Sequence, residues 1–118
     1  MKLFKTTMAA LIMTTGLASS AIAETKAFLQ ITLQIVDDNR SEAAGIYSKY
    51  KEPFLSKIDG AMSKQLLVRS EDVQVLHGFG STEQAAAYLQ SELFANDVVG
   101  ELGSLLAAEP EIRIYEAH

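Results

Sequence analysis

Cysteine is absent from the chain. That excludes disulfides, thiol catalysis, iron–sulfur clusters and Cys-ligated zinc. Basic residues are scarce as well: ten Lys and Arg stand against fifteen Asp and Glu. Phosphate backbones and anionic membrane surfaces need a basic face, so the balance argues against both as partners. The acids are scattered rather than blocked, as on a solvated surface. Histidine occurs only at His77 and His118, and no Zn-binding His pair, Gly-rich phosphate loop or nucleophile elbow can be assembled. The adjacent acids Asp37-Asp38 and Glu71-Asp72 lack the spacing of a calcium loop. No metal and no cofactor is therefore predicted.

Long apolar runs are also missing. The longest begins at Met8, is interrupted by Thr14 and Thr15, and ends near Ala18. It falls short of the ~20 predominantly apolar residues that span a bilayer. With Lys2 and Lys5 before it and Ala21 and Ala23 after it, this segment has the three parts of a secretory signal peptide. Residues 1–23 are expected to be a signal peptide, and 24–118 the working domain, periplasmic or secreted. Without a Cys behind the cut there is no lipid attachment of the lipoprotein type. Cleavage leaves about 95 residues, one small domain. A domain of that size buries only about two-thirds of its surface, so packing or oligomerisation must supply what disulfides do not.

From Ala27 to Val36 apolar residues alternate. Ala27, Leu29, Ile31, Leu33 and Ile35 form one face, and Phe28, Gln30, Thr32, Gln34 and Val36 the other, which predicts a strand. Asp37 to Arg40 reads as a turn. From Ser41 the period becomes helical through Ala43, Tyr47, Tyr50, Phe54 and Ile58, with a kink or break expected near Lys51-Glu52 ahead of Pro53. Strands are predicted over 64–69 and 73–79, joined by Ser70-Glu71-Asp72. Ser81 and Gln84 form a capping-box signature for a helix carrying Ala85, Tyr88 and Leu89. Asn96 is the expected cap of a further segment carrying Val98, Leu102, Leu105 and Leu106. Pro110 stops it, and 111–116 is the last strand. The order β-α-β-β-α-β predicts an α+β, ferredoxin-like domain with two helices on one face of a four-stranded antiparallel sheet.

Two helices leave the other face bare. Phe28, Gln30, Thr32 and Gln34 from the first strand, with Arg113 and Tyr115 from the last, make that face mixed rather than charged. It is expected to pack against a second copy and to enclose a small, largely apolar molecule, with Phe28, Gln30, Thr32, Gln34 and Arg113 as ligand-binding residues. His77 is the one internal group with an unperturbed pKa suited to base catalysis near neutral pH. His77 and Tyr115 are the candidate catalytic residues. The pattern of the third strand leaves open whether His77 faces that cavity or the helices. Arg113 with Tyr115 could bind a carboxylate or phenolate, or Arg113 could simply pair with Glu111.

The stretch Val73-Gln74-Val75-Leu76-His77-Gly78-Phe79-Gly80-Ser81-Thr82-Glu83-Gln84-Ala85-Ala86-Ala87-Tyr88-Leu89 resembles the dimeric α/β-barrel superfamily, especially antibiotic biosynthesis monooxygenase-like domains. A strand ends in an aromatic residue, then Ser-x-Glu opens a helix beginning Ala-x-x-Tyr. The resemblance implies a homodimer with facing sheets, and it admits cofactor-independent monooxygenases or isomerases in which Tyr115, Arg113 and Gln30 would be polar participants. It also admits dimers that serve only as interaction modules. It does not extend to haem degradation. Those relatives use an Asn, a Trp and a His on the second helix, whereas this chain has no Trp and neither His lies there.

Overall fold

The computed structural model describes residues 24–118, so the expected signal peptide lies outside the described residues. Strand β1 (Ala27–Leu33) leads into helix α1 (Asp37–Lys57), and the hairpin of β2 (Ala61–Val68) and β3 (Val73–Phe79) follows. Helix α2 (Thr82–Tyr88) and the short α3 (Glu92–Phe94) run into a π-helical segment, Ala95–Leu102, and a 3-10 turn, Gly103–Leu105. Strand β4 (Glu111–Glu116) closes the chain. The sheet is antiparallel with order β2-β3-β1-β4, which is the ferredoxin-like arrangement predicted.

Alternation along β1 does what its pattern demands. Ala27, Leu29, Ile31 and Leu33 are almost completely buried under the helices, while Phe28, Gln30 and Thr32 keep partial exposure on the opposite face. Register carries the same division across the sheet. Leu29 lies opposite His77 and Ile114, and Ile31 opposite Val75 and Ile112. Facing pairs share a side of the sheet, so β3 turns Val73, Val75, His77 and Phe79 towards the helices.

Helix α1 departs from expectation at both ends. It starts at Asp37 rather than Ser41, with Asp37 and Asp38 in its first turn. Carboxylates there favour the helix dipole, so the acidic cluster begins the helix instead of preceding it. Pro53 does not break it, and the helix continues to Lys57. An interior proline costs about 3 kcal/mol. Phe54, the next residue, is fully buried and packs edge-on against His77, Phe79 and Tyr88 at ring separations of 5.1, 5.6 and 5.0 Å. Giving up such a phenylalanine costs about 3–5 kcal/mol, enough to hold the last turn in place. The chain then reverses at Gly60, whose φ of 79° lies in the left-handed region. A side chain there would also collide with the Gln84 amide.

Ser81 caps α2 as expected, its Oγ accepting from the Gln84 N–H at 3.1 Å. Asn96 does not cap the following segment. Ser91 does, accepting from the Phe94 N–H at 3.1 Å, and its own hydroxyl donates to the Tyr88 carbonyl at 2.6 Å. Asn96 lies inside the π-helical stretch, which turns Asp97, Val98 and Leu102 inward.

Candidate functional site

Helix α1 does not seal against the outer hairpin. Between them lies a cavity of about 330 Å³, walled by apolar side chains including Leu33 and Ile35 from the first strand and its extension, Leu66 from β2, and Val73 and Val75 from β3. The helix contributes Ala43 and Ala44, two of the smallest side chains, and so leaves the space open. Tyr47 and Arg40 supply polar atoms at its wall. Arg40 is tied down: Nε donates to the Ile35 carbonyl at 3.1 Å, and its two terminal nitrogens donate to the carbonyls of Arg69 and Ser70 at 2.8 and 3.0 Å. The guanidinium thereby fixes the first turn of α1 to the β2–β3 turn and holds that end of the cavity in shape.

Behind the inner wall of the cavity, screened from it by Leu33, Tyr47, Val75 and Leu102, sits a buried polar cluster that sequence reasoning missed. Lys64 and Asp97 are 3% exposed each, and Lys64 Nζ lies 3.3 Å from Asp97 Oδ2. Nζ also lies 5.5 Å from the centre of the Tyr47 ring and 5.3 Å from that of Phe54. The Tyr47 hydroxyl donates to the Lys64 carbonyl at 2.8 Å. Asp97 Oδ1 and the Tyr88 hydroxyl are buried without a hydrogen-bond partner. Burial pushes the Lys64 amine below the usual lysine range, opposed by Asp97, and pushes the Asp97 carboxyl above the usual carboxylate range, opposed by Lys64. Both shifts favour the uncharged forms. Signals for the pair were present. Lys64 alternates with Leu66 on the covered phase of β2, and Asp97 stands in the Phe94–Val98–Leu102 spacing, where a charge is out of place.

His77 resolves to the helix side. It is 1% exposed, and its Nδ1–H donates to the Leu29 carbonyl at 3.2 Å, which fixes the neutral tautomer. Burial, reinforced by the Lys64 charge, pushes its pKa down to about 3. The imidazole is therefore uncharged at neutral pH and packed between Phe54 and Tyr88. Tyr115 is half exposed on the opposite face, so the two residues singled out as catalytic are not brought together.

The residues singled out for ligand binding do share one surface. Gln30 faces Arg113 in register, Phe28 faces Tyr115, and Thr32 faces Glu111. Gln34 lies just beyond the strand and is exposed. Arg113 takes the Glu111 carboxylate at 3.3 Å, an exposed ion pair that contributes little. Among the described residues, two sizeable spaces lie elsewhere: the helix-side cavity, and an open groove of about 440 Å³ between the π-helical segment and the chain leading to β4. Among the described residues, no cluster of His, Asp and Glu is arranged to hold a metal ion.

No family model matches the chain, and no curated protein matches its sequence. Solved structures do. A Caulobacter crescentus protein provisionally described as an antibiotic biosynthesis monooxygenase superposes with a TM-score of 0.68 at 14% identity, over 86% of this chain and 98% of that one. A Nitrosomonas europaea protein of unknown function gives 0.67 at 19% identity, over 80% and 91%. A further antibiotic biosynthesis monooxygenase gives 0.64 at 9% identity, over 78% and 98%. At these identities the likeness establishes the fold.

Proposed function

We propose that residues 24–118 form an exported homodimer, periplasmic or secreted, in which each chain holds a small, largely apolar molecule. The observation that carries the binding reading is the apolar cavity between α1 and the β2–β3 hairpin, with Arg40, Ser41 and Tyr47 as the polar residues in its wall. Ligand sites are commonly apolar hollows with a few converging polar groups, and this space falls at the lower end of their usual size. The ligand thus belongs inside each chain, on the helix side of the sheet. The bare face takes the other role assigned to it, contact with a second copy. Half-buried Phe28, exposed Leu67 and exposed Tyr115 on a sheet face that none of the described residues covers favour that use. Export rests on the composition of residues 1–23.

Two measurements test the proposal. Light scattering on residues 24–118 is expected to give twice the monomer mass; a monomer at micromolar concentration ends the dimer reading and leaves the cavity reading untouched. Nile red, an uncharged apolar fluorophore, is expected to bind with a blue-shifted emission. Ala44→Phe places a ring in the cavity from an exposed helix position, and should weaken that binding by about tenfold or more, some 1.4 kcal/mol, with the fold intact. Equal binding by both proteins would put the dye, and the proposed ligand, elsewhere.

A further inference from the structure

We propose that the helix-side cavity takes a medium-chain carboxylate, with the acyl chain inside and the carboxylate on Arg40 at the rim. The inference rests on the reading that this cavity holds a largely apolar molecule, and it names that molecule's charged end.

Four features carry it. Among the described residues that line the cavity, Arg40 carries the only charge. Most of the wall is aliphatic, as at Leu33, Ile35, Leu66 and Val73, so a ligand with one charged group has one place to put it. Second, the guanidinium is set in position before any ligand arrives. It donates to the carbonyls of Ile35, Arg69 and Ser70 at 3.1, 2.8 and 3.0 Å. An arginine held this way gives up little rotamer freedom on binding. Third, its charge is not neutralised by those partners. Carbonyls are uncharged, and they take three of the five guanidinium N–H groups. The carboxylates nearby do not make up the difference. Asp72 is engaged with Arg69 through both oxygens, at 2.7 and 2.9 Å. Asp37 Oδ1 lies 3.7 Å from Arg40 Nε, beyond hydrogen-bond reach, on a side chain that is 94% exposed. Such a pair contributes little and yields to a carboxylate that sits closer. Fourth, the Arg40 side chain is 20% exposed, so it stands between the apolar space and water. That boundary is where an amphiphile changes from chain to head group.

Volume sets the length. At about 30 Å³ per non-hydrogen atom, the share of a water molecule in the liquid, 330 Å³ holds about eleven of them. Nonanoate is that size. The domain as a whole disfavours an anion: without Lys2 and Lys5 the ten Lys and Arg fall to eight, against fifteen Asp and Glu. A preference for nonanoate over nonanol, the uncharged ligand with the same chain, therefore reports a local contact.

Calorimetric titration of residues 24–118 at pH 7, where the carboxylate is ionised, compares the two ligands. The wild type is expected to bind nonanoate about tenfold more tightly than nonanol, the usual scale for hydrogen bonds between charged partners. Arg40→Gln should bring nonanoate down to the level of nonanol. Because Arg40 also ties α1 to the β2–β3 turn, an exposed substitution beside it gives an independent reading. Asp37→Lys should tighten nonanoate by about threefold and leave nonanol unchanged. Wild-type binding of nonanoate no tighter than nonanol overturns the proposal. So does a preference retained by folded Arg40→Gln, or one that Asp37→Lys leaves unchanged. Ala44→Phe separates the two readings. If it blocks Nile red and nonanol while the wild type shows no preference for nonanoate, the cavity reading stands and the carboxylate falls. If it leaves the dye and both ligands bound as before, the cavity reading falls and takes the carboxylate with it.

Discussion

Lys64→Met is expected to lose about 3–5 kcal/mol of folding stability, the usual cost of stripping one partner from a buried ion pair. Domains of this kind hold only about 5–15 kcal/mol in total, so the variant should be markedly more sensitive to urea and near the edge of folding at 37 °C. The reason is Asp97. Its side chain is 4% exposed, Oδ1 already lacks a partner, and loss of the ammonium leaves Oδ2 without one too. Taking up a proton relieves the charge but still buries a carboxyl with nothing to bond. Lys64→Met/Asp97→Leu removes both charges and replaces them by apolar side chains of similar bulk. Such replacements run from neutral to stabilising by about 1–4 kcal/mol. The double variant should therefore recover most or all of what the single one loses. Urea midpoints of the wild type, both single variants and the double close the cycle. Additive losses, with the double variant worse than either single, would mean that the two groups are not coupled.

That non-additivity bears on function. If apolar residues serve the fold as well as the ion pair does, stability does not explain why Lys64 and Asp97 stand where they do. The pair then calls for an explanation other than folding stability. A site with buried charges held partly unsatisfied stores free energy that a ligand or a reacting group can release.

The sequence made the sheet legible and the cavity not. Period-2 alternation assigned both faces of β1 and placed β3 and β4 to the residue, because a one-residue slip would have exposed Leu29 and Ile31. Local rules failed where tertiary contacts outweighed them. Pro53 is a genuine helix breaker, but Phe54 beside it anchors the aromatic cluster. Asn96 is a fair cap, but Ser91 was already capping five residues earlier. The site was sought on the bare face because Gln30 and Arg113 are polar and converge there. A cavity is a different kind of feature: it is a deficit of volume, here produced where Ala43 and Ala44 face the hairpin, and it appears only when three elements are packed together. Lys64 and Asp97 could have been flagged as charges in apolar phase. Their proximity could not, since 33 residues separate them.

The domain is expected to lose stability steadily below about pH 6.5, and His77→Phe is expected to remove that loss. In the unfolded chain His77 takes up a proton near 6.5, while burial holds the folded group at about 3. Between those values the unfolded state binds the extra proton, so stability rises with pH: this contribution is complete above about 6.5 and is lost as pH falls towards 3. The slope approaches 1.4 kcal/mol per pH unit, so a drop from pH 6.5 to 5 should cost roughly 2 kcal/mol. The groups packed on His77 give it no relief. Phe54 and Tyr88 carry no charge here, and Lys64 repels an imidazolium. Asp97 acts in the opposite sense: its raised carboxyl pKa makes the folded state hold a proton more tightly, so its contribution grows as pH falls. The depressed carboxylates Glu71, Asp72 and Glu101 matter only below about pH 4.5, where they begin to take up protons in the unfolded chain. Between about pH 5 and 6.5 the loss therefore comes from His77, with Asp97 opposing it. His77→Phe keeps the ring contacts with Phe54 and Tyr88 and gives up one hydrogen bond to the Leu29 carbonyl, about 1 kcal/mol. Urea midpoints at pH 5, 6 and 7.5 should fall with acidity in the wild type and stay flat, or rise slightly through Asp97, in the variant. Parallel slopes in the two proteins would place the titration elsewhere and return His77 to the groups able to accept a proton from a ligand near neutral pH.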